Sequence, residues 1–165
     1  THAHNDLNPD FIFLSPAYNF RSTEINAVLG LSQLKSLDDN NKKRVLNFDY
    51  FMSNLNSNKF ITTLDRTGQC NYALIVILRK QDMEERNKIE TMLRENNIEF
   101  RRGLSGGGNQ LRQPYIERHG LNLTDEKLAS EFANVEHVHN YSWYIGNYPS
   151  LDRDKITNLL TLLNE

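Results

Sequence analysis

The sequence has little of what would place it outside the cell or in a membrane. Cys70 is the only cysteine among 165 residues, so no internal disulfide can form. Cysteine-poor chains are typical of reducing compartments, and we therefore expect a cytoplasmic protein. No apolar run approaches the ~20 residues that a transmembrane helix needs, so no membrane association is expected.

Neither sign of charge is in large excess. The chain has 19 basic and 21 acidic residues, which gives a formal net charge of −2. A strongly basic surface is typical of proteins that bind nucleic acid or an anionic membrane. The near-neutral balance therefore argues against both kinds of partner.

The first 21 residues lack a clear helix or strand pattern. Their longest apolar run, residues 11–14, stops at Ser15 and Pro16, and a proline holds the residue before it in an extended conformation. We predict an extended entry segment over residues 1–21. The chain also begins as if within a longer protein, and we expect a further domain to precede it.

The rest of the sequence alternates between helical and strand patterns. Apolar residues at three-four spacing predict a long helix over about residues 22–55, either continuous or broken by a kink or a new cap at the weak stretch 38–41. Further along, short apolar runs predict strands, and Asp or Thr before a helical pattern predicts a capped helix start. The predicted order is strand 72–78, helix from Asp82, strand 98–101, helix from Thr124, strand 141–145 and helix from Asp152. This order indicates one α/β domain over residues 1–165, in which helices cover a small, mostly antiparallel sheet.

Three segments carry polar residues that packing alone does not explain. The first is Tyr18-Asn19-Phe20-Arg21, directly before the long helix. Backbone N–H groups and the helix dipole favour an anion at a helix start, and Asn19 and Arg21 would add donors there. The segment therefore suits a phosphate or a carboxylate. Formation of a turn by Asn19 is an equally good interpretation.

The second segment is a glycine-rich stretch with three arginines, residues 101–115. Glycines let a backbone approach a ligand closely, and Arg101, Arg102 and Arg112 suit a diphosphate or a sugar. The stretch lacks the Gly-Lys-Ser/Thr of a nucleotide-binding P-loop. A flexible surface turn is the alternative that composition alone leaves open.

The third segment, residues 143–149, has aromatic side chains beside Asn147 at the end of a predicted strand. Such side chains line sugar pockets, but they are equally typical of a strand end and turn. His137 and His139 precede this segment on a predicted helix. Residues two apart face different sides of a helix, which argues against a shared metal site.

These segments, in this order, resemble the DegT/DnrJ/EryC1/StrS family of sugar aminotransferases. The longest match is residues 18–34, Tyr-Asn-Phe-Arg-Ser-Thr-Glu-Ile-Asn-Ala-Val-Leu-Gly-Leu-Ser-Gln-Leu, against the family's Tyr-Asn-x-Arg-x-x-Glu-x-x-Ala-x-x-Gly-x-x-Gln-Leu. Residues 97–101 resemble the family's strand with its pocket arginine. Residues 108–114, Gly-Asn-Gln-Leu-Arg-Gln-Pro, look like a loop of the branch that includes the 4-keto-6-deoxy-sugar 3-dehydratases, and residues 146–151 are similar to that branch's strand-end turn.

The resemblance implies the C-terminal small domain of a fold type I pyridoxal-phosphate enzyme, with a long helix at its start. The implied cofactor is pyridoxal 5'-phosphate or pyridoxamine 5'-phosphate. A homodimer is also implied, because the family's counterpart of Asn19 reaches the cofactor phosphate of the neighbouring subunit. Arg21 is expected either to support that contact or to meet the substrate. Substrate binding is implied for Arg101, Asn109, Arg112 and Asn147.

The same resemblance implies that the chemistry is done elsewhere. The family's large domain carries the aspartate that pairs with the pyridine nitrogen and the lysine that forms the Schiff base, and a histidine replaces this lysine in the 3-dehydratases. We expect that domain to lie outside this chain. No catalytic residue is then expected in residues 1–165, which by themselves are expected to be inactive.

The sequence patterns and the family resemblance together leave three functions open. The first is a part of a pyridoxal-phosphate-dependent aminotransferase that moves an amino group to a nucleotide-activated keto sugar. The second is a part of a pyridoxamine-phosphate-dependent 4-keto-6-deoxy-sugar 3-dehydratase, which residues 108–114 favour. The third, from another class, is a non-catalytic binding or regulatory module that keeps the fold. The expected partners of an enzyme are the sugar nucleotide, an N-terminal domain and a second copy of the chain.

Overall fold

A computed structural model describes residues 22–104, 108–112, 116 and 124–165. The chain divides into two compact units, residues 1–36 and residues 37–165. The predicted entry segment 1–21, with Asn19 and Arg21, lies outside the described residues.

The first unit contributes one described helix, α1, over Glu24–Leu34. Thr23 is its N-cap, and the Thr23 hydroxyl accepts a hydrogen bond from the backbone N–H of Asn26 at 3.3 Å. The helix carries no buried residue. Its large aliphatic side chains are all 59–72% exposed, namely Ile25, Val28, Leu29, Leu31 and Leu34.

The second unit opens with α2, over Leu37–Asn54. The helix predicted over 22–55, for which the sequence left a break open, is broken: the helical run stops at Leu34 and resumes at Leu37. The predicted weak point is not where the break lies. Asp38 and Asp39 are in the first turn of α2, where negative side chains interact favourably with the helix dipole and so support a helix start.

Three strands form one antiparallel sheet in the order β1-β3-β2. They are β1 over Ala73–Ile77, β2 over Phe100–Arg102 and β3 over Ser142–Gly146. In the central strand, Tyr144 lies opposite Ile75 of β1 and Arg101 of β2. The prediction of a small antiparallel sheet is confirmed, with strand ends within two residues of the predicted ones.

Four more helices complete the described part of the second unit. The helix that was predicted from Thr124 onward is divided in two at Phe132. The predicted caps are confirmed at Asp82, Thr124 and Asp152, whose side chains each accept a backbone hydrogen bond. Within the described residues, no helix is long and apolar enough to cross a membrane. The four helices are α3 (Met83–Glu95), α4 (Asp125–Glu131), α5 (Ala133–Tyr141) and α6 (Arg153–Asn164).

The hydrophobic core lies between one face of the sheet and the helices α2, α3 and α6. Alternation along the strands places Leu74, Val76, Trp143 and Ile145 on the same face, as the pairing register shows. These side chains are at most 8% exposed, and burial of each contributes about 1.5–3 kcal/mol. The helices supply the rest of the cluster: Phe48, Phe51, Met52, Ile89, Leu93, Ile156, Leu159, Leu160 and Leu163.

Candidate functional site

The glycine-rich stretch leaves the sheet at the end of β2. Gly103 has a positive φ of 73°, and its N–H donates to the Ser142 carbonyl at 2.9 Å. Further on, a single 3-10 turn spans Gln110–Arg112. Asn109 starts this turn, since its side-chain oxygen accepts from the N–H of Leu111 at 2.9 Å. We call residues 108–112 the 108–112 loop.

A carboxylate on α5 gathers the polar side chains of this loop. Glu136 accepts from Asn109 Nδ2 at 2.6 Å and from Arg112 Nε and Nη2 at 2.9 and 2.5 Å. The remaining terminal nitrogen of Arg112, Nη1, lies 2.9 Å from the Asp125 carboxylate of α4. Asn109 is buried. The loop is thereby tied to both α4 and α5.

A second residue of α5 bonds to the backbone of the same loop. The N–H of Asn109 donates to Nδ1 of His139 at 3.0 Å, so this imidazole nitrogen carries no proton. Burial lowers the pKa of His139, the positive charges of Arg112 and Arg102 act in the same direction, and Glu136 opposes them. The Arg112 hydrogen bond in turn lowers the pKa of Glu136. At neutral pH the site therefore pairs a neutral imidazole with an ionised carboxylate.

A groove of about 740 Å³ opens on another part of the second unit. Its floor is apolar, with Leu74, Ile145 and Leu159 among the lining residues, and Arg101, Tyr72 and Tyr144 also line it. The two tyrosine rings meet edge to face, with centroids 6.0 Å apart. A hydrogen bond to the Tyr144 hydroxyl raises the pKa of Arg101, whose side chain is 70% exposed. Lys155 is a second cation along the groove, and Glu99 lies 4.0 Å from Arg101. The apolar floor, the aromatic edges and the two cations suit an anionic ligand that also has an apolar face.

A sequence model of the DegT/DnrJ/EryC1/StrS aminotransferase family matches residues 3–164. The chain belongs to this family. Among curated relatives, it is 25% identical to the lipopolysaccharide biosynthesis protein RfbH of Salmonella typhimurium, over 90% of this chain and 33% of that protein. It is also 25% identical to the GDP-4-keto-6-deoxy-D-mannose 3-dehydratase of Escherichia coli O55:H7, over 96% of this chain and 40% of that enzyme. The chain thus spans between a third and two fifths of these relatives.

Solved structures of similar proteins have the same fold. The GDP-4-keto-6-deoxy-D-mannose-3-dehydratase of E. coli with bound hydrated PLP superposes with a TM-score of 0.73 at 23% identity, over 93% of this chain and 38% of that one. An aminotransferase from Psychrobacter cryohalolentis gives a TM-score of 0.69 at 20% identity, over 96% and 42%. The described fold is therefore that of one part of a fold type I pyridoxal-phosphate enzyme, as the sequence predicted.

Two of the substrate residues that the family resemblance implied are brought together. Asn109 and Arg112 both donate to Glu136. Arg101 lies instead in the groove, and its neighbour Arg102 turns to Glu90 of α3, with Nε 2.7 Å from a carboxylate oxygen. Successive residues of a strand point to opposite faces, which explains why the two arginines separate.

Asn147 lies apart from the 108–112 loop. It follows Gly146, at the end of β3 opposite to Ser142, and a five-residue strand places these ends roughly 13 Å apart. Its Nδ2 donates to the carbonyls of Arg44 and Asn71 at 3.0 and 2.9 Å, and the side chain is buried. Its Oδ1 has no hydrogen-bond partner among the described residues. Asn147 therefore joins α2 to the segment before β1.

Neither Glu136 nor a role for His139 was predicted from the sequence. A usable signal was present, because the two residues are three apart and so share one face of a helix. His137 faces elsewhere and contacts the Leu78 carbonyl at 2.6 Å. Where the structure describes the chain, no three His, Cys, Asp or Glu side chains are grouped as a metal site would require.

Proposed function

We propose that this chain is the C-terminal part of a pyridoxal-phosphate-dependent enzyme that acts on a nucleotide-activated keto sugar. The observation that carries the proposal is the family match over residues 3–164. The chain spans 33% and 40% of its two curated relatives. The proposal therefore assigns the cofactor's Schiff-base residue and the large domain to protein outside residues 1–165, and it predicts that these residues alone are inactive.

Two reactions are candidates, and they differ in product. Amino transfer would convert the keto sugar to an amino sugar, whereas 3-dehydration would remove a hydroxyl group. The second has a specific observation in its favour, because residues 108–114 look like a dehydratase loop and one relative is named a GDP-4-keto-6-deoxy-D-mannose 3-dehydratase. Mass spectrometry of the sugar product separates the two. The experiment uses the complete protein that carries this chain, with cofactor, glutamate and a 4-keto-6-deoxy sugar nucleotide.

Asn19 and Arg21 are proposed to hold the phosphate of the cofactor, which is pyridoxal or pyridoxamine 5'-phosphate. The donor set suits the group: the Asn19 side chain offers a neutral amide, and the Arg21 side chain offers a guanidinium. The start of α1 is exposed from Ser22 to Glu24, and an anion bound there would interact favourably with the helix dipole. When bound, the cofactor supplies an electron sink for the reaction.

The replacement Asn19→Ala tests this assignment in the complete protein. Loss of one hydrogen bond to a charged group costs about 1.5–3 kcal/mol, so cofactor affinity should fall roughly tenfold to hundredfold. The melting temperature of the cofactor-free protein should hardly change. Asn87→Ala, which removes an exposed amide on α3, is the matched control. A destabilised cofactor-free protein with intact cofactor affinity would make Asn19 a turn residue.

Substrate binding is proposed for both polar areas of the second unit. Arg101 offers the groove an exposed cation, which suits the diphosphate of a sugar nucleotide. Asn109 and Arg112 would contribute to substrate binding by shaping the 108–112 loop. Asn147 would contribute by holding the segment before β1 against α2. An Arg101→Ala enzyme should have a raised KM for the sugar nucleotide. Unchanged KM would remove Arg101 from the site.

The exposed aliphatic side chains of α1 are proposed to meet the N-terminal domain that the family resemblance implies, or a second copy of the chain. Five large aliphatic side chains at 59–72% exposure are an unusual amount for one short helix in water. The proposal includes a homodimer of the complete enzyme. Residues 1–165 alone should self-associate at high concentration in sedimentation experiments, and a strictly monomeric chain would count against this part.

A further inference from the structure

Glu136 and His139 lie on one face of α5 and contact the 108–112 loop at successive points. Glu136 receives the side chains of Asn109 and Arg112, and His139 receives the backbone N–H of Asn109. Residues three apart on a helix project to the same side. The pair therefore holds both backbone and side chains of the loop on one rigid element.

Gly108 allows the imidazole to approach this closely. Its φ is +83°, and a Cβ atom at this position would overlap Nδ1 of His139 and lie 3.2 Å from Cε1. Gly68 has a similar φ of +69°, but nothing lies within 4 Å of the place where its Cβ would be. The two glycines thus share the backbone requirement, and close contact with a side chain is particular to Gly108.

Most polar side-chain groups of Asn109 and Arg112 in the loop already form hydrogen bonds within the protein. Nε, Nη1 and Nη2 of Arg112 each already donate to a carboxylate, and Asn109 donates through both its backbone N–H and its Nδ2. Asn109 is 2% exposed. These side chains hold the loop in place and have little capacity left to reach outward.

We propose that Glu136 and His139 are positioning residues that fix the 108–112 loop as a rigid wall of the sugar-nucleotide site. The inference rests on the proposed function and deepens it: the loop's glycine, asparagine and arginine contribute to substrate affinity through loop geometry. A rigid wall reduces the ordering cost of binding. Loosening it should raise KM for the sugar nucleotide more than it changes cofactor affinity.

The experiment compares four variants of the complete, cofactor-loaded enzyme: Gly108→Ala, His139→Ala, the double variant and Glu136→Gln. Steady-state kinetics gives KM and kcat, and amide hydrogen exchange reports the mobility of residues 108–112. In Gly108→Ala we expect faster exchange in the loop and a KM raised roughly tenfold to hundredfold. Glu136→Gln should also raise the loop exchange rate and KM, but by smaller amounts. The amide keeps one oxygen acceptor for Asn109 or Arg112 and replaces the other oxygen with a donor.

The double variant and a control isolate the contact from general strain. Once His139→Ala has removed the ring, the further change Gly108→Ala should raise KM less than it does in the wild type, as expected of interacting residues. Gly68→Ala imposes a similar backbone strain away from any ring. It should lower the melting temperature slightly and leave both KM and loop exchange unchanged.

Three results would overturn the inference. Exchange in the loop that is unchanged in Gly108→Ala and Glu136→Gln would show that the pair does not hold it. If these variants exchange faster in the loop but keep the wild-type KM, Glu136 and His139 have a structural role only. A lower melting temperature without a change in KM would lead to the same conclusion. If the wild-type enzyme binds no sugar nucleotide at all, the proposed function fails and the substrate role of the loop fails with it. The exchange rates then still decide whether the pair holds the loop.

Discussion

Two glutamates of the second unit do similar chemistry in different surroundings. Glu90 of α3 accepts from Arg102, at 2.7 Å through both oxygens, from Arg94 at 2.9 Å and from the Trp143 indole at 3.1 Å. Glu136 of α5 accepts from Asn109 and Arg112. Each is a carboxylate that binds an arginine through two or more hydrogen bonds.

The two sites differ in whether the hydrogen-bond partners of the glutamate lie in strands and helices or in a loop. Arg102 and Trp143 are on neighbouring strands, and Arg94 is one turn from Glu90 on α3, so Glu90 connects three regular elements. Glu90 is 3% exposed, and Trp143 is fully buried. The partners of Glu136 lie in a loop, and Glu136 itself is less buried. Similar hydrogen bonds are therefore expected to stabilise the fold at Glu90 and to position a loop at Glu136.

The largest effect that this comparison predicts is from Glu90→Ala. The change leaves the buried indole N–H of Trp143 without an acceptor and removes charged hydrogen bonds, which together cost about 2–3 kcal/mol after allowing for the exposed arginines. Glu136→Ala leaves the buried Nδ2 of Asn109 without its acceptor, but the Glu136 side chain is 12% exposed against 4% for Glu90, so a smaller loss of about 1 kcal/mol is expected. Urea unfolding of both variants measures the difference. Equal losses would contradict the division of roles.

Acid should reveal the same difference. Burial alone would raise the pKa of Glu90, but hydrogen bonds from Arg102, Trp143 and Arg94 outweigh burial and hold the pKa at about 2, below its ordinary 4.5. The stabilisation by this carboxylate is then fully present above pH 4.5 and is lost as pH falls toward 2. Stability curves from pH 6 to pH 2 should be flatter in Glu90→Gln than in the wild type. Parallel curves would show that another carboxylate is responsible.

A smaller effect is expected at His139, where NMR titration reads the state of the imidazole. Its pKa should lie below 6.5, because burial and the charges of Arg112 and Arg102 disfavour the protonated form. The bond from Asn109 is therefore present above pH 6.5 and is lost as pH falls through the lowered pKa. Glu136→Gln removes the opposing negative charge and should lower this pKa further. A pKa that rises in that variant would contradict the arrangement.

The smallest effect is expected from Asp125→Asn. Asp125 pairs with Arg112 at 2.9 Å, but its side chain is 85% exposed, and such pairs contribute about 0.5 kcal/mol or less. Glu136 alone should then keep Arg112 in place. The unfolding midpoint and the exchange of the 108–112 loop should both stay close to wild type. A loop that loosens in Asp125→Asn would move the holding role from Glu136 to Asp125.

The arrangement of helices and strands could be predicted to a large extent from local patterns. Asp82, Thr124 and Asp152 were predicted as caps because their short polar side chains favour helix starts, and each is a cap. The break of the long helix was misplaced. Composition suggested Asp38 to Asn41, although a pair of aspartates supports the first turn of a helix as readily as it weakens an interior.

The candidate site was predictable in part. The resemblance selected Asn109 and Arg112, and the structure brings these two together. It could not indicate Glu136, which is distant in sequence and meets them only because α5 passes beside the loop. The resemblance also could not show that Arg101 and Arg102 have different contacts, since these depend on which face of β2 meets the core.

The sequence by itself determined the family, the helix starts, the strands and the antiparallel sheet, because these follow from periodicity, capping residues and a long motif over residues 18–34. Tertiary structure decided which polar side chains face one another. The Asn147 side chain is buried and donates a hydrogen bond to α2. Glu136 and His139 accept hydrogen bonds from the 108–112 loop and support it. The physical reason is that a hydrogen bond acts over about 3 Å, while the residues that form these bonds are 24 to 103 positions apart along the chain.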